Sequence, residues 1–381
     1  MTTIPVMKPW LGEEEAAAAA EAVRSGWVAQ GPRVARFEEA FAASVGAGHG
    51  VATSSCTTAL QLGLLLLGVG PGDDVVVPSL SFIATASVVR HVGATPVFAD
   101  VDPWTANVTA KTVEAVVTPA TRAVIAVHQA GMPADTDELR TLCTGRGLAM
   151  LEDAACAAGS TYRDAPVGAG AELAAWSFHP RKLLTTGEGG MLTLADADLA
   201  DRARRLREHG MSISAAARHA ARQPVLESYV ETGWNMRMTD IQAAVGLVQL
   251  AKLDAMVARR RALAAGYRER LADLPGLYAV TDPPYGQTNY QSFWVRLPDD
   301  FPMSRDELLG FLADRGVSAR RGIMATHLEP AYRGHPHGDL PVTEALTART
   351  LILPLFHTMT EPEQDQVVAA LREAAKSAAT R

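Results

Sequence analysis

One lysine, Lys182, stands in a segment whose composition is unusual for a surface lysine. Pro180 precedes it, and glycines at positions 187, 189 and 190 follow it. Proline fixes a backbone angle and glycine permits close backbone approach, so the segment predicts a specific turn against which another group packs. An amine held in such a turn can form a covalent bond with a carbonyl ligand. From this residue alone, a solvent-facing lysine in a turn is the favoured interpretation.

Asp153 and a hydroxyl-rich turn supply two further groups that suit the same chemistry. Asp153 ends an apolar run 29 residues before Lys182, and ligands of open α/β sheets bind at such strand ends. A carboxylate there can pair with the pyridine nitrogen of pyridoxal phosphate, whereas a helix N-cap is the alternative. The turn from Thr53 to Thr58 opens an apolar helix and predicts a phosphate site, with ordinary capping as its alternative.

In chain order, the hydroxyl turn, the strand-end acid and the glycine-flanked lysine are the three groups that a pyridoxal phosphate enzyme requires. The motifs of P-loop proteins, HExxH zinc proteases and GxSxG hydrolases do not occur in the sequence. No metal site is predicted, because Cys56, Cys143 and Cys156 are widely spaced and form no CxxC pair.

The elements that must position these groups alternate between helix and strand, which is typical of an α/β protein. Strands are predicted at 75–78, 96–100, 123–128 and 148–153, and helices at 12–25, 33–45, 57–67 and 82–92. We therefore expect a mostly parallel central sheet flanked by helices, with a smaller C-terminal α+β domain. One long charged helix at 241–273 is predicted to bridge the two, and the domains are expected at 1–255 and 256–381.

The overall composition argues against several classes of function. The 381 residues carry 35 Lys and Arg against 42 Asp and Glu, a net charge of −7, without a block of five or more like charges. A nucleic-acid surface and a basic membrane anchor are therefore not expected. The longest apolar stretch, 59–69, is too short to span a bilayer, and the N-terminus lacks the pattern of a secretory signal. These features predict a reduced, cytoplasmic protein.

Several segments together resemble the DegT family of sugar aminotransferases, which belong to the fold type I pyridoxal phosphate enzymes. The resemblance covers nearly the whole chain, and its segments occur in the family's order. They are Ser25–Pro32 with Phe37 and Glu38, Ser55–Leu60, Pro78–Thr85, Glu152–Ala155, Trp176–Met191 and Gly233–Ala244.

The resemblance implies roles for the residues that hold the cofactor, pyridoxal 5'-phosphate. Lys182 occupies the Schiff-base position, and Asp153 occupies the position that pairs with the pyridine nitrogen. Phe82 matches the aromatic residue that stacks on the cofactor ring, and an ordinary core phenylalanine is the alternative. Cys56 and Thr57 lie where backbone amides and a hydroxyl bind the phosphate.

Two further positions complete the implied phosphate site, and two depart from the family pattern. Ser177 matches the phosphate-binding serine before the lysine, and Asn235 matches a residue that reaches the phosphate from a neighbouring subunit. A homodimer with shared active sites is thus implied. Cys156 stands where Gln or His is frequent near the ring hydroxyl, although a thiol is a weak hydrogen-bonding group. Cys56 replaces a more familiar glycine.

The implied activity is transfer of an amino group from glutamate or glutamine to a keto-sugar, nucleotide-linked or free, or to a keto-cyclitol. Relatives that dehydrate or deoxygenate carry histidine at the lysine position, so Lys182 favours transamination, and His179 is assigned a structural role. A related isomerase or eliminase is one alternative. A non-catalytic regulator that retains the fold is another.

Substrate contacts are predicted from the C-terminal third of the chain and from one loop. The candidates are Arg320, Arg321, His327, Asn289 and Tyr290, and, within the loop 209–234, Arg218, His219 and Arg222. For the arginines, a charge at the rim of the site is the alternative.

Overall fold

The computed structural model describes residues 3–214, 218 and 226–377. The strands are β1 (His49–Thr53), β2 (Asp74–Pro78), β3 (Thr95–Ala99), β4 (Thr121–Val127), β5 (Ala149–Asp153), β6 (Thr161–Tyr162), β7 (Ala165–Pro166), β8 (Leu173–Ser177), β9 (Gly190–Leu194), β10 (Tyr278–Ala279), β11 (Gly286–Gln287), β12 (Phe293–Arg296), β13 (Arg320–Arg321) and β14 (Thr350–Leu353). The α-helices span Glu13–Arg24, Pro32–Ser44, Cys56–Leu66, Ala84–His91, Ala110–Glu114, Thr136–Arg146, Ala197–Arg207, Asp240–Ala251, Leu253–Leu271, Arg305–Asp314, Pro341–Arg349 and Glu361–Lys376.

A central sheet carries the strand ends that matter for the site. Within the described residues it has seven strands in the order β1-β9-β8-β5-β4-β2-β3. Neighbours from β8 to β3 are parallel, whereas β9 is antiparallel to both β1 and β8. The prediction of a mostly parallel sheet flanked by helices is confirmed. Because β9 runs the opposite way, its first residue, Gly190, lies between the last residues of β1 and β8, which are Thr53 and Ser177.

Apolar runs form the inner strands because helices cover both faces of the sheet. Val75, Val76 and Val77 of β2 are fully buried. Leu60 and Leu64 of the helix Cys56–Leu66 pack in the same cluster as Val75 and Val77. The hydroxyl turn at the start of that helix is therefore held rigidly at the edge of the sheet.

The prediction of a single long helix at 241–273 is wrong, because the chain forms two helices that meet at Lys252. Asp240–Ala251 and Leu253–Leu271 are bent by 56° relative to each other. The ammonium of Lys252 bonds to the carboxylates of Glu14 and Glu15, at 2.6 and 2.8 Å, which ties the junction to the first helix. The second helix instead buries Tyr267 in the C-terminal core. Because the two helices pack against different parts of the protein, the chain bends at Lys252 and does not form one straight helix.

A second, smaller sheet organises the C-terminal part. Its order is β10-β12-β14-β13, and the helix Glu361–Lys376 contributes to the same core. Ile4 near the N-terminus pairs with Val317, so the first residues also pack here. The domain division at 255/256 stays a prediction.

The described residues contain neither a single membrane-spanning helix nor a metal-binding cluster. No single helix there is both long and apolar enough to cross a bilayer, and only the bent pair joined at Lys252 has that length and composition together. No group of three or more His, Cys, Asp or Glu residues in the same part of the chain is placed to hold a metal ion.

Candidate active site

Asp153, the last residue of β5, lies at the centre of the site. Its side chain is 5% exposed, and its two carboxylate oxygens accept hydrogen bonds from the Ala155 amide, at 3.2 Å, and the Thr85 hydroxyl, at 3.0 Å. Thr85 is itself 2.8 Å from the Ser81 hydroxyl. Burial raises the pKa of Asp153, and these hydrogen bonds offset the effect only in part. A buried carboxyl of this kind favours a cationic partner.

Glu152, the residue before Asp153, belongs to a buried ionic group that the sequence analysis did not predict. His128 Nδ1 accepts from the Ala134 amide at 3.0 Å, so Nε2 carries the proton and donates to Glu152 at 3.2 Å. Arg140 donates to the other oxygen at 2.7 Å. Burial opposes ionisation of Glu152, but these two donors outweigh it and lower its pKa. The group stabilises β4 against β5; an acid inside an apolar strand was the only sequence signal.

The Lys182 side chain meets Cys156 beside Asp153. Lys182 Nζ donates to Cys156 Sγ at 3.0 Å, and Cys56 Sγ lies 4.0 Å from Asp153. Burial disfavours the charged amine, but Cys156, Cys56 and Asp153 together raise the pKa of Lys182. The first two sequence features, the glycine-flanked lysine and the strand-end acid, are thus brought together at one site.

The hydroxyl turn forms a helix N-terminus at the same edge of the sheet. Ser55 caps the helix Cys56–Leu66 and exchanges hydrogen bonds with Thr58, both through its side chain and through its amide. Among the described residues, nothing accepts from the amides of Cys56 and Thr57. Two unpaired amides at a helix start are the groups that bind a phosphate.

The close approach of β9 to this turn depends on Gly190, which has no side chain. Gly190 is paired with both Ser177 and Thr53. A Cβ on Gly190 would lie 2.3 Å from the Ser55 carbonyl carbon and 2.5 Å from the Cys56 nitrogen. β9 therefore packs directly on the turn. Together, the ends of β1 and β8, the start of β9 and the start of the helix Cys56–Leu66 form one cradle.

Phe82 is not a core residue, since 64% of its side chain is exposed. It follows Ser81, whose hydroxyl leads through Thr85 to Asp153. An exposed aromatic ring at this position is available for stacking on a flat ligand.

Comparison with known proteins identifies the family to which this arrangement belongs. The model of the DegT/DnrJ/EryC1/StrS aminotransferase family matches residues 9–372. The chain belongs to this family. It is 38% identical over 380 residues to the spore coat polysaccharide biosynthesis protein SpsC of Bacillus subtilis (strain 168), with 98% of each chain covered.

Solved structures of relatives share the whole fold. The aminotransferase TlmJ from Streptoalloteichus hindustanus is 38% identical, with a TM-score of 0.91 over 99% of this chain and 100% of that one. The PLP-form of Spr1654 from Streptococcus pneumoniae is 26% identical, with a TM-score of 0.91 over 99% of each chain. The protein is a pyridoxal phosphate-dependent sugar aminotransferase, as the resemblance implied.

The residues present fit the cofactor of this aminotransferase family. The amides of Cys56 and Thr57 and the Ser177 hydroxyl suit its phosphate, and Asp153 suits its ring nitrogen. The raised pKa of Asp153 fits a carboxyl whose cationic partner arrives with the cofactor. These individual roles stay predictions.

Three of the predicted substrate residues of the aminotransferase, Asn289, Tyr290 and His327, are buried. Asn289 is fully buried, and its side-chain nitrogen donates to the carbonyls of Cys156 and Ala158, both at 2.8 Å. Tyr290 is 1% exposed, its hydroxyl bonds to Arg268, and burial raises its pKa. Asn289 therefore borders the Lys182 pocket through the backbone of the Cys156 loop, whereas Tyr290 packs in the C-terminal core.

His327 and Arg320 approach the site from the C-terminal part of the aminotransferase. His327 Nδ1 is 2.6 Å from the Ser79 hydroxyl, and burial lowers the histidine pKa. Arg320 is exposed, and partial burial together with repulsion from Arg181 lowers its pKa. That repulsion places Arg320 near the residue before Lys182, while Arg321 pairs with Glu329 at 3.1 Å.

The remaining predicted residues lie around the loop 209–234. The Asn235 side chain is exposed and accepts from Arg237 at 3.2 Å, and the next carbonyl, of Met236, accepts from the Ser54 amide at 2.8 Å. The segment therefore runs beside the hydroxyl turn of its own chain; its contact with a partner's cofactor stays a prediction. Arg218 pairs with Glu227 at 2.6 Å. His219 and Arg222 lie outside the described residues.

Proposed function

We propose that this enzyme transfers an amino group from glutamate or glutamine to a keto-sugar, nucleotide-linked or free, or to a keto-cyclitol, in glycan or secondary-metabolite biosynthesis. The contact between Lys182 Nζ and Cys156 Sγ, 3.0 Å apart beside buried Asp153, carries the proposal, because an amine next to a buried carboxyl suits the chemistry of the cofactor. The SpsC relative, a spore coat polysaccharide biosynthesis protein, supports the glycan context.

Each side chain of the site has a defined part in this proposal. When bound, pyridoxal phosphate supplies an aldehyde and a ring that takes up electrons. Lys182 would hold the aldehyde and, when its Nζ is free, would move a proton. Asp153 would keep the ring nitrogen protonated, and the Cys56 and Thr57 amides with Ser177 would bind the phosphate. Phe82 would lie against the ring.

Lysine at position 182 favours transamination over the alternatives. A lysine amine can both bind the aldehyde and return a proton, whereas a histidine imidazole can move a proton but cannot form a Schiff base. A related isomerase or eliminase would use the same pocket without net nitrogen transfer. A non-catalytic regulator has no use for a lysine beside a buried aspartate, and membership of an aminotransferase family argues against it.

A substrate screen tests the proposed reaction. The holoenzyme receives glutamate or glutamine with isotope-labelled amino nitrogen and one ketone at a time: nucleotide-linked keto-sugars, free keto-sugars and keto-cyclitols. Mass spectrometry should find the label in one product class. A product isomeric with its ketone, without label, would overturn the proposal in favour of an isomerase.

Borohydride reduction and peptide mapping form the matched test of the lysine. The chain has five lysines, namely Lys8, Lys111, Lys182, Lys252 and Lys376. We expect the pyridoxyl group on Lys182 alone. The variant Lys182→Ala should lose the adduct and the labelled product, whereas Lys111→Ala, at an exposed lysine, should retain both. An adduct on another lysine would contradict the assignment.

A further inference from the structure

We propose that Asn289 and Gln291 are positioning residues that hold the Cys156 and Lys182 loops together, and so fix the place to which the Lys182 amine returns in each turnover. The inference rests on the proposed role of Lys182. It assigns Asn289 to the architecture of the site instead of to direct contact with substrate.

Gln291 binds the backbone on both sides of Lys182. Its side-chain oxygen accepts from the Leu183 amide at 2.9 Å, and its side-chain nitrogen donates to the Arg181 carbonyl. The side chain is only 8% exposed. One amide group thus closes a ring around the lysine, and water has little access to compete for either bond.

Asn289 binds the loop that carries the opposing thiol. Its side-chain nitrogen donates to the carbonyls of Cys156 and Ala158, and its side-chain oxygen accepts from the backbone N–H of Gln291 at 2.7 Å. Gly131 leaves room for this side chain, since a Cβ there would lie 1.9 Å from the Asn289 oxygen. The Asn289 side chain is therefore bonded to the backbone of Gln291, whose own side chain holds the lysine loop.

The pair is anchored from the C-terminal core by one buried arginine. Arg260 donates to the carbonyls of Tyr290 and Gln291, at 2.7 and 2.8 Å, and to that of Leu355 at 3.0 Å. Burial lowers the pKa of Arg260 to about 9. The segment 289–291 thus has a rigid base, and its two side chains reach across to both loops.

The consequence is a defined position for the Lys182 amine. The ionisable groups that face it are Cys56, Asp153, Cys156 and His179. If either loop shifts, the contact between Nζ and Sγ opens and the thiol no longer supports the ammonium. A displacement of about 1 Å from the productive geometry can reduce turnover by up to about 100-fold.

The test compares two buried glutamines. Gln291→Met removes both bonds to the lysine loop at nearly constant volume. The control is Gln364→Met, in the last helix, which loses one bond to the carbonyl of Leu263. In the apoprotein, competitive acetylation across pH reports the titration midpoint of Lys182. We expect Gln291→Met to lower this midpoint by about one pH unit, in the same direction as Cys156→Ala. Cys156→Ser, which keeps a hydrogen-bond acceptor for Lys182 Nζ, should leave the midpoint close to the native value.

Kinetics of the holoenzymes complete the test. Gln291→Met should reduce kcat by about tenfold with the donor KM nearly unchanged, and Asn289→Ala should act in the same direction. Gln291→Glu, which keeps the acceptor but not the donor, replaces Gln291→Met if that variant does not fold.

The two hypotheses fail in different ways. Variants at 291 and 289 that fold and keep the Lys182 midpoint and kcat of the native protein would overturn the positioning role. A pyridoxyl adduct on another lysine would overturn the proposed role of Lys182 itself.

Discussion

At the scale of single residues, the Lys182 amine experiences two opposing influences. Burial favours its neutral form, whereas Cys156, Cys56 and Asp153 favour the ammonium, and the second influence prevails because its pKa is raised. The free enzyme therefore holds a protonated amine at neutral pH. An ammonium has no lone pair, so it must lose a proton before it can attack an aldehyde.

The rate at which apoenzyme takes up the cofactor should therefore rise steeply with pH. Below the raised pKa of Lys182, the neutral fraction grows about tenfold per pH unit, so the gain should continue through the alkaline range. Stopped-flow absorbance after mixing with pyridoxal phosphate measures the rate. An absorbance titration of free pyridoxal phosphate in the same buffers corrects for ionisation of the cofactor. A rate that is flat between pH 7 and about 9 after this correction would contradict a raised pKa.

Asp153→Asn should separate stability from catalysis. Since burial raises the folded-state pKa of Asp153, the carboxyl stabilises the apo fold at low pH, and this contribution is lost as pH rises from the unfolded to the folded value. At pH 8 the apo variant should thus melt at or above the native Tm. Turnover of the holoenzyme should fall roughly 100-fold, because the amide does not hold the ring nitrogen protonated.

Thermal melts of apoprotein and donor half-reaction kinetics check this prediction. Asp300→Asn, at an exposed aspartate, is the control and should change neither quantity. Near-native turnover in a folded Asp153→Asn enzyme would return Asp153 to the role of a helix cap.

At the scale of secondary-structure elements, the proposed phosphate cradle depends on one reversed strand. Since β9 runs antiparallel to its neighbours, its start meets the ends of β1 and β8. The helix Cys56–Leu66 begins at the same point and directs its unpaired amides there. The cradle is thus a product of strand order and direction.

Gly190→Ala should disturb that cradle. The new Cβ would come within 2.5 Å of backbone atoms of Ser55 and Cys56, so the strand or the turn must move. We expect a loss of about 1–3 kcal/mol in stability and a weaker affinity for pyridoxal phosphate. Chemical denaturation and cofactor titration measure the two effects.

Gly310→Ala is the matched control for this substitution. Gly310 lies in the helix Arg305–Asp314 with no atom near the position of a new Cβ, so alanine should stabilise the protein by up to about 1 kcal/mol. If Gly190→Ala binds pyridoxal phosphate as tightly as the control, the close packing of β9 on the turn is not needed for the site.

At the scale of the whole molecule, the site is assembled from distant parts of the chain. Ser79 of the central region bonds to His327, and Cys156 is held by Asn289. The Met236 carbonyl meets the Ser54 amide, which brings the Asn235 segment to the edge of the hydroxyl turn. An exposed Asn235 side chain at this edge is accessible to a second subunit.

Mixing two inactive variants tests the shared site of the proposed homodimer. Lys182→Ala and Asn235→Ala subunits, after verified exchange, should form heterodimers with one intact site, because one chain supplies Lys182 and the other Asn235. Activity and cofactor absorbance measure the recovery. A phosphate held by both chains should also make the dimer more stable as pyridoxal phosphate concentration rises, by about 2.7 kcal/mol at 100 times Kd.

Two outcomes of the mixing experiment decide against the shared site. If Asn235→Ala binds cofactor weakly by itself but the mixed dimers recover nothing, Asn235 acts on the hydroxyl turn of its own chain. If the purified enzyme is a monomer at full activity, the homodimer is wrong altogether.

The amino-acid sequence by itself determined the alternation of helices and strands, the fold class and the order of Thr57, Asp153 and Lys182 along the chain. These features depend on apolar periodicity, turn residues and motifs within a few positions, which are local and so visible in one dimension. Family, cofactor and type of reaction followed from the same motifs, and comparison with known proteins confirmed them.

Only the tertiary structure decided which side chains meet. Asn289 binds the carbonyl of Cys156 across 133 positions, and Gln291 binds the Leu183 amide across 108. The bend at Lys252 likewise depends on which partners each helix packs against. Contacts between residues so far apart leave no periodic pattern in the sequence, because burial and chain direction create them only when the sheet and the C-terminal core pack together.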